Sequence, residues 1–170
     1  RDAVTSRTQE NRAVGLSLPQ AVSRLLPHGD PATFDAVTQA YKDAFRSARS
    51  EGRLSQPLFD GIADVLRALV VGGWTLGVAT GMSDRGLAHC LDINGVADLF
   101  VTLQTADRHP SKPHPAMLEA ALFEAGAAPS EAVMIGDTVF DMEMAQSAGV
   151  RGIGVDWGYH LPRELEAAGA

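Results

Sequence analysis

Asp137 and Asp141 stand four residues apart, just after the apolar run Ala132-Val133-Met134-Ile135, which breaks at Gly136. A run of that length suits a buried strand, and two acids at its carboxyl end lie where open α/β sheets bind ligands. Paired carboxylates in such a place suit a hard cation such as Mg2+, which takes few protein carboxylates and keeps several waters. A second group follows another apolar segment: Thr80 offers a hydroxyl, and Gly81-Met82-Ser83 offers backbone N–H groups at a helix start, where anions are favoured. A third is Lys112, a point positive charge in the loop Ser111-Lys112-Pro113-His114-Pro115. Hydroxyl, ammonium and metal-binding acids together would neutralise a phosphoryl group, whose transfer depends mainly on positioning and charge stabilisation. Each has a plainer use, as a cap, a solvated loop charge, or acids favoured by a helix dipole. Their combination, each just after a strand, is the more specific signal.

The elements that must position these groups are legible in the spacing. Up to about Ser55 the pattern is helical only. Ser17-Leu18-Pro19-Gln20 reads as a capping box that opens a helix through Leu26. Asp30-Pro31 opens another, with Phe34, Val37, Tyr41, Phe45 and Ala48 three to four apart. From Gln56 the texture alternates. Ile62, Val65, Leu66, Leu69 and Val70 form a helical stripe closed by Gly72-Gly73, and Trp74 to Ala79 reads as a strand. A helix runs to about Leu91, Leu99 to Thr102 is a second strand, and Pro115 opens a helix that Gly126 closes. Ala132 to Ile135 is a third strand, the next helix ends at Gly149, and Gly152 to Val155 is a fourth. Strands separated by helices predict a parallel sheet. In such a sheet Thr80, Lys112 and the Asp137/Asp141 pair emerge on one side and should converge.

Composition narrows the function. The chain has 170 residues, 45% hydrophobic and 21% charged, as expected of a globular protein with a sizeable core. Its formal charge of −7, from 21 acidic and 14 basic residues, disfavours nucleic acid or an anionic membrane as a partner. No run of 18 apolar residues and no signal-peptide pattern occurs, so a cytoplasmic home is the expectation. Cys90 is the only cysteine, which rules out an intrachain disulfide, and its apolar surroundings predict a buried structural thiol.

Val78-Ala79-Thr80-Gly81, Ser111-Lys112-Pro113-His114-Pro115 and Ile135-Gly136-Asp137-Thr138-Val139-Phe140-Asp141 resemble motifs II, III and IV of the haloacid dehalogenase superfamily. The subgroup it looks most like is the phosphoglycolate-phosphatase-like hydrolases with a helical cap. Gly15-Leu16-Ser17-Leu18 is similar to a cap segment of that subgroup, and Gly154 to Tyr159 to the loop after its last matched strand. The resemblance spans nearly the whole chain. It implies an α/β fold: an N-terminal α-helical cap segment over residues 1–55 and a Rossmann-like parallel-sheet core over 56–170. It also implies Mg2+ dependence and hydrolysis of a small phosphorylated metabolite, 2-phosphoglycolate being one candidate, through an aspartyl-phosphate. By the same resemblance Thr80 donates to the transferring phosphoryl, with Gly81 beside it, and Lys112 neutralises charge between nucleophile and phosphate. Asp137 is a metal ligand, and Asp141 a second ligand or an anchor for metal-bound water. Gly15 to Ser17 would face the substrate.

One part is missing from these residues. The family's motif I, an apolar strand ending in Asp-x-Asp-x-Thr, supplies the nucleophile, and nothing between Arg1 and Val14 matches it. The chain reads as cut at both ends, inactive as given, and with a gap in its sheet where that strand is normally central. The alternatives are a non-catalytic phosphate- and metal-binding module and, within the family, a phosphomutase. A phosphorelay receiver is disfavoured because its Lys comes last, whereas Lys112 precedes both acids. His109 and His114 are too few for a zinc site. His160 reads as a surface or substrate-edge residue, Trp74 and Phe100 as core, Trp157 and Tyr159 as packing residues, and Arg24, Arg46 and Arg49 as a solvated face.

Overall fold

The structure, a computed structural model, describes residues 13–170. Two helices come first, α1 (Leu18–Leu25) and α2 (Pro31–Ser50). Asp30 starts α2 as expected: its carboxylate accepts the Thr33 N–H at 2.7 Å, and Pro31 supplies the first helical φ. Tyr41 stacks on Phe45 with centroids 6.1 Å apart, yet no residue of α2 is buried among the described residues. The capping box expected at Ser17 does not form. The Ser17 side chain makes no cap bond, and its backbone N–H instead donates to Ser111 Oγ at 2.7 Å.

The alternating part follows: α3 (Ile62–Val71), β1 (Leu76–Thr80), α4 (Asp84–Ile93), β2 (Phe100–Thr105), α5 (Ala116–Ala125), β3 (Val133–Gly136), α6 (Val139–Ser147), β4 (Arg151–Gly154) and α7 (Pro162–Ala167). The strands pair in parallel, β1 with β2 and β3 with β4. Among the described residues these are two separate two-stranded sheets. What joins them is apolar packing. Met117, Leu118 and Leu122 of α5 meet Met144 and Ala145 of α6, together with Val150. Ala79 of β1 and Met134 of β3 pack against this cluster, so the two strands whose loops carry Thr80 and Asp137 share one core. Met117 and Met144 are fully buried, each worth about 1.5–3 kcal/mol relative to exposure. A second cluster, Leu87, Leu91 and Val96, covers the other face of β1 and β2 through Val78, Phe100 and Leu103.

Several side chains depart from the sequence expectation. Trp74 lies outside β1 and is exposed, because the turn at Gly72-Gly73 delays the strand to Leu76. Trp157 and Tyr159 are exposed rather than packed, and Cys90 is only half-buried. β2 runs three residues past the apolar segment, through Leu103, Gln104 and Thr105. Thr102 and Gln104 are buried there because they have polar partners. Thr102 donates to Glu124 at 2.5 Å, Gln104 Nε2 donates to Thr102 at 2.7 Å, and His109 Nε2 lies 2.8 Å from Gln104 Oε1.

Candidate active site

Three strand-to-helix connections come together, as the parallel arrangement requires. The closest contact crosses from the Lys112 loop to α6: Lys112 Nζ donates to Asp141 Oδ1 at 2.5 Å, with both side chains buried. Asp141 also takes the Thr138 hydroxyl at 2.7 Å and the Thr138 N–H at 3.0 Å on Oδ2. Thr138 is the N-cap of α6 and Asp141 its third residue, so the acid closes a capping box and pairs with the lysine at once. Gly136 allows this. A Cβ there would lie 2.3 Å from Asp141 Cβ, so the end of β3 must have no side chain.

Asp137 is placed differently. Its Oδ2 accepts the Tyr159 N–H at 3.1 Å, and its backbone carbonyl accepts the His160 N–H at 3.1 Å. No bond to its Oδ1 occurs among the described residues. His160 is buried, contrary to the surface or substrate-edge role read from the sequence, and its Nδ1 accepts the Val139 N–H at 3.0 Å. Nothing in the local pattern signals this, because His160 follows two exposed aromatic residues and the bond reaches back 21 positions.

Thr80 ends β1, and its Oγ1 accepts the Met82 N–H at 3.2 Å. The segment Gly15 to Ser17 touches all three connections. A Cβ on Gly81 would meet the Leu16 carbonyl oxygen at 2.5 Å, Ser17 N–H bonds Ser111, and a Cβ on Gly15 would meet Thr138 Oγ1 at 2.8 Å. Gly15 to Ser17 therefore lies directly over the loops bearing Thr80, Lys112 and Asp137. Beside it opens a cleft of about 290 Å³ lined by Leu16, Gln20, Ser23, Arg24, Pro113 and Phe140. Arg24 places its guanidinium 5.3 Å from the centroid of Phe140, and Arg49 does the same over Phe45, so neither is simply a solvated charge. Arg46, in contrast, pairs with Asp43 on an exposed face. His109 and His114 are each engaged by the protein, His109 with Gln104 and His114 Nδ1 with the Ala116 N–H.

The donor set fits a cation at one acid only. Asp137 presents a half-buried carboxylate with one oxygen oriented by Tyr159 and the other unengaged within the described residues. Both oxygens of Asp141 face protein donors, and an ammonium is one of them. Among the described residues no group of three or more His, Cys, Asp or Glu side chains is arranged for a metal. A single carboxylate suffices for Mg2+ when waters and phosphate oxygens complete the shell.

Comparison with known proteins shows the family. Residues 3–155 match the family described as haloacid dehalogenase-like hydrolase. The chain is 36% identical over 162 residues to "Probable phosphatase IndB" of Dickeya dadantii, covering 91% of this chain and 68% of that protein. It is 28% identical over 134 residues to a phosphoglycolate phosphatase of Pseudomonas putida, covering 78% of this chain but 49% of that protein. In three dimensions it is similar to the crystal structure of a haloacid dehalogenase-like hydrolase from Bacteroides fragilis, with a TM-score of 0.85 at 24% identity. That match covers 97% of this chain and 78% of the other.

Proposed function

The chain belongs to the haloacid dehalogenase-like hydrolases, and from that premise we propose that it forms most of a Mg2+-dependent phosphatase for a small phosphate monoester. The observation that carries the reading is the buried Lys112–Asp141 contact beside the open carboxylate of Asp137. It supports a positive charge and a cation ligand where the loops after β2 and β3 meet. Thr80 and the Gly81 N–H would bind the phosphoryl oxygens. Lys112, held by Asp141, would offset the charge between phosphate and nucleophile. Asp137 would hold Mg2+, and Asp141 would act through Lys112 and Thr138 instead of as a direct ligand. When bound, the cation supplies charge neutralisation at the phosphoryl oxygens.

The family's nucleophilic carboxylate would attack phosphorus as the P–O bond to the alcohol breaks, giving an aspartyl-phosphate that water then hydrolyses. These 170 residues contain no motif I to supply it, so the chain alone binds the anion without turning it over. The names of similar proteins point to 2-phosphoglycolate or another small phosphorylated metabolite as substrate.

The test is twofold. The 170-residue chain should show no Mg2+-dependent hydrolysis of p-nitrophenyl phosphate. It should still bind inorganic phosphate with Mg2+, and Lys112→Ala should weaken that binding about tenfold or more, as loss of a charged hydrogen bond does. Turnover that disappears in Asp137→Ala would show that these residues suffice for catalysis. Phosphate binding indifferent to Lys112→Ala would remove the reading.

A further inference from the structure

We propose that His160 is a positioning residue for Asp137, clasping the 158–160 loop beneath the carboxylate so that one oxygen stays aimed outward. The inference rests on the reading of Asp137 as the cation ligand. Three bonds make the clasp. Tyr159 N–H donates to Asp137 Oδ2 at 3.1 Å, His160 N–H donates to the Asp137 carbonyl at 3.1 Å, and Val139 N–H donates to His160 Nδ1 at 3.0 Å. The first fixes the carboxylate, the second its backbone, and the third ties the loop to the first residue of α6.

The third bond has a specific cause. A helix start leaves N–H groups without intrahelical partners. Thr138 and Asp141 satisfy each other in the capping box, and the Val139 N–H falls to an imidazole 21 positions later. Because Nδ1 accepts, the proton of the neutral ring lies on Nε2, which is buried without a partner among the described residues. The ring is 7% exposed and meets Phe140 edge-on, with centroids 5.7 Å apart and planes at 66°. Arg24 of α1 also approaches Phe140, so the clasp is packed from the cap side as well. Gly158 completes the loop, since a Cβ there would lie 2.2 Å from Asp137 Cβ. The backbone can pass this close to the carboxylate only as glycine.

Partners that orient a metal ligand from behind typically change affinity 10–100-fold when lost. The clasp makes a prediction that a purely space-filling histidine does not. Asparagine at 160 would put Oδ1 where Nδ1 now sits, whereas glutamine would carry its acceptor one bond too far. The experiment is Mn2+ binding by the 170-residue chain in the presence of inorganic phosphate, followed by electron paramagnetic resonance, with Asp137→Ala as the reference for site-specific binding. His160→Ala and His160→Gln should weaken the Asp137-dependent binding about tenfold. His160→Asn should stay within about twofold of the parent, a fraction of that effect. Equal affinity in all three variants, or an equal loss in all three, would overturn the positioning role. Mn2+ binding by the parent that Asp137→Ala leaves unchanged would instead overturn the assignment of Asp137 itself. Unfolding of the alanine variant leaves the asparagine–glutamine contrast to decide.

Discussion

The β1–β2 pair is packed on both faces, by α4 through Leu87 and Leu91 and by α5 through Met117 and Ala121, whereas the β3–β4 pair is packed mainly by α6. On its other face the cross-strand pair Ile135 and Ile153 is 54% and 40% exposed. Polar bonds tie both halves to other segments, but they reach different groups. After β1 they gather on Asp84, which takes the Thr105 hydroxyl and Arg108 and whose N–H donates to Asp107, whereas among the described residues the Thr80 hydroxyl takes only the Met82 N–H of its own turn. After β3, Asp137 and Asp141 are tied to two other parts of the chain, the Lys112 loop and the Tyr159-His160 segment. The Thr80 hydroxyl is thus placed by the strand that it ends. Directional bonds hold the half that presents acids. The two kinds of group differ chemically: a hydroxyl rotates to its partner, whereas a carboxylate only accepts and takes its orientation from the donors around it.

The strongest way to break that contrast is Asp141→Ala. It leaves the Lys112 ammonium buried without its partner and uncaps α6, and the expected loss is about 3–5 kcal/mol in urea unfolding. A loss below about 1 kcal/mol, the range of an exposed pair, would mean that the acidic loop is not held by its polar bonds. Next comes a paired comparison of apolar positions. Leu91→Ala in the doubly packed half should cost about 2–5 kcal/mol. Ile135→Thr in the half-covered pair should stay within about 0.5 kcal/mol, as surface changes do. Equal losses would show that both halves rest on burial alike. The smallest effect is a pH dependence on the outer face of β2. The Thr102 hydroxyl donating to Glu124 holds its carboxyl below the ordinary value of 4.5, with Gln104 adding to this. A lowered carboxylate stabilises the fold fully above its unfolded pKa and loses that contribution as pH falls through the folded value. The stability gap between parent and Thr102→Val should therefore narrow as pH drops below 4.5, followed by urea midpoints at each pH. A gap that does not change with pH would show that Thr102 does not favour the charged form.

Much of the fold was readable from local pattern. Three of the four expected strands fall within a residue or two of the observed ones, because short apolar runs bounded by glycine leave few other conformations. The end of β2 was not readable. Gln104 and Thr105 look like loop residues, and only partners at Thr102, on α4 and in the 106–112 connection make them acceptable in a strand. Thr80, Lys112, Asp137 and Asp141 were legible as residue types placed after strands. Their division of labour was not, since the same Asp141 served equally well on paper as a cap, a ligand or a water anchor.

From sequence alone come the residue types, their order after successive strands and the family, because strand-to-helix turns fix where loop residues emerge whatever surrounds them. Tertiary structure alone assigns the partners. It turns Asp141 toward Lys112 and leaves one oxygen of Asp137 without a bond among the described residues. It also buries His160 against the start of α6, where the sequence suggested a surface position. The physical reason is that a hydrogen bond depends on distances of about 3 Å between groups 21 or 29 residues apart, and such distances exist only once the core has closed.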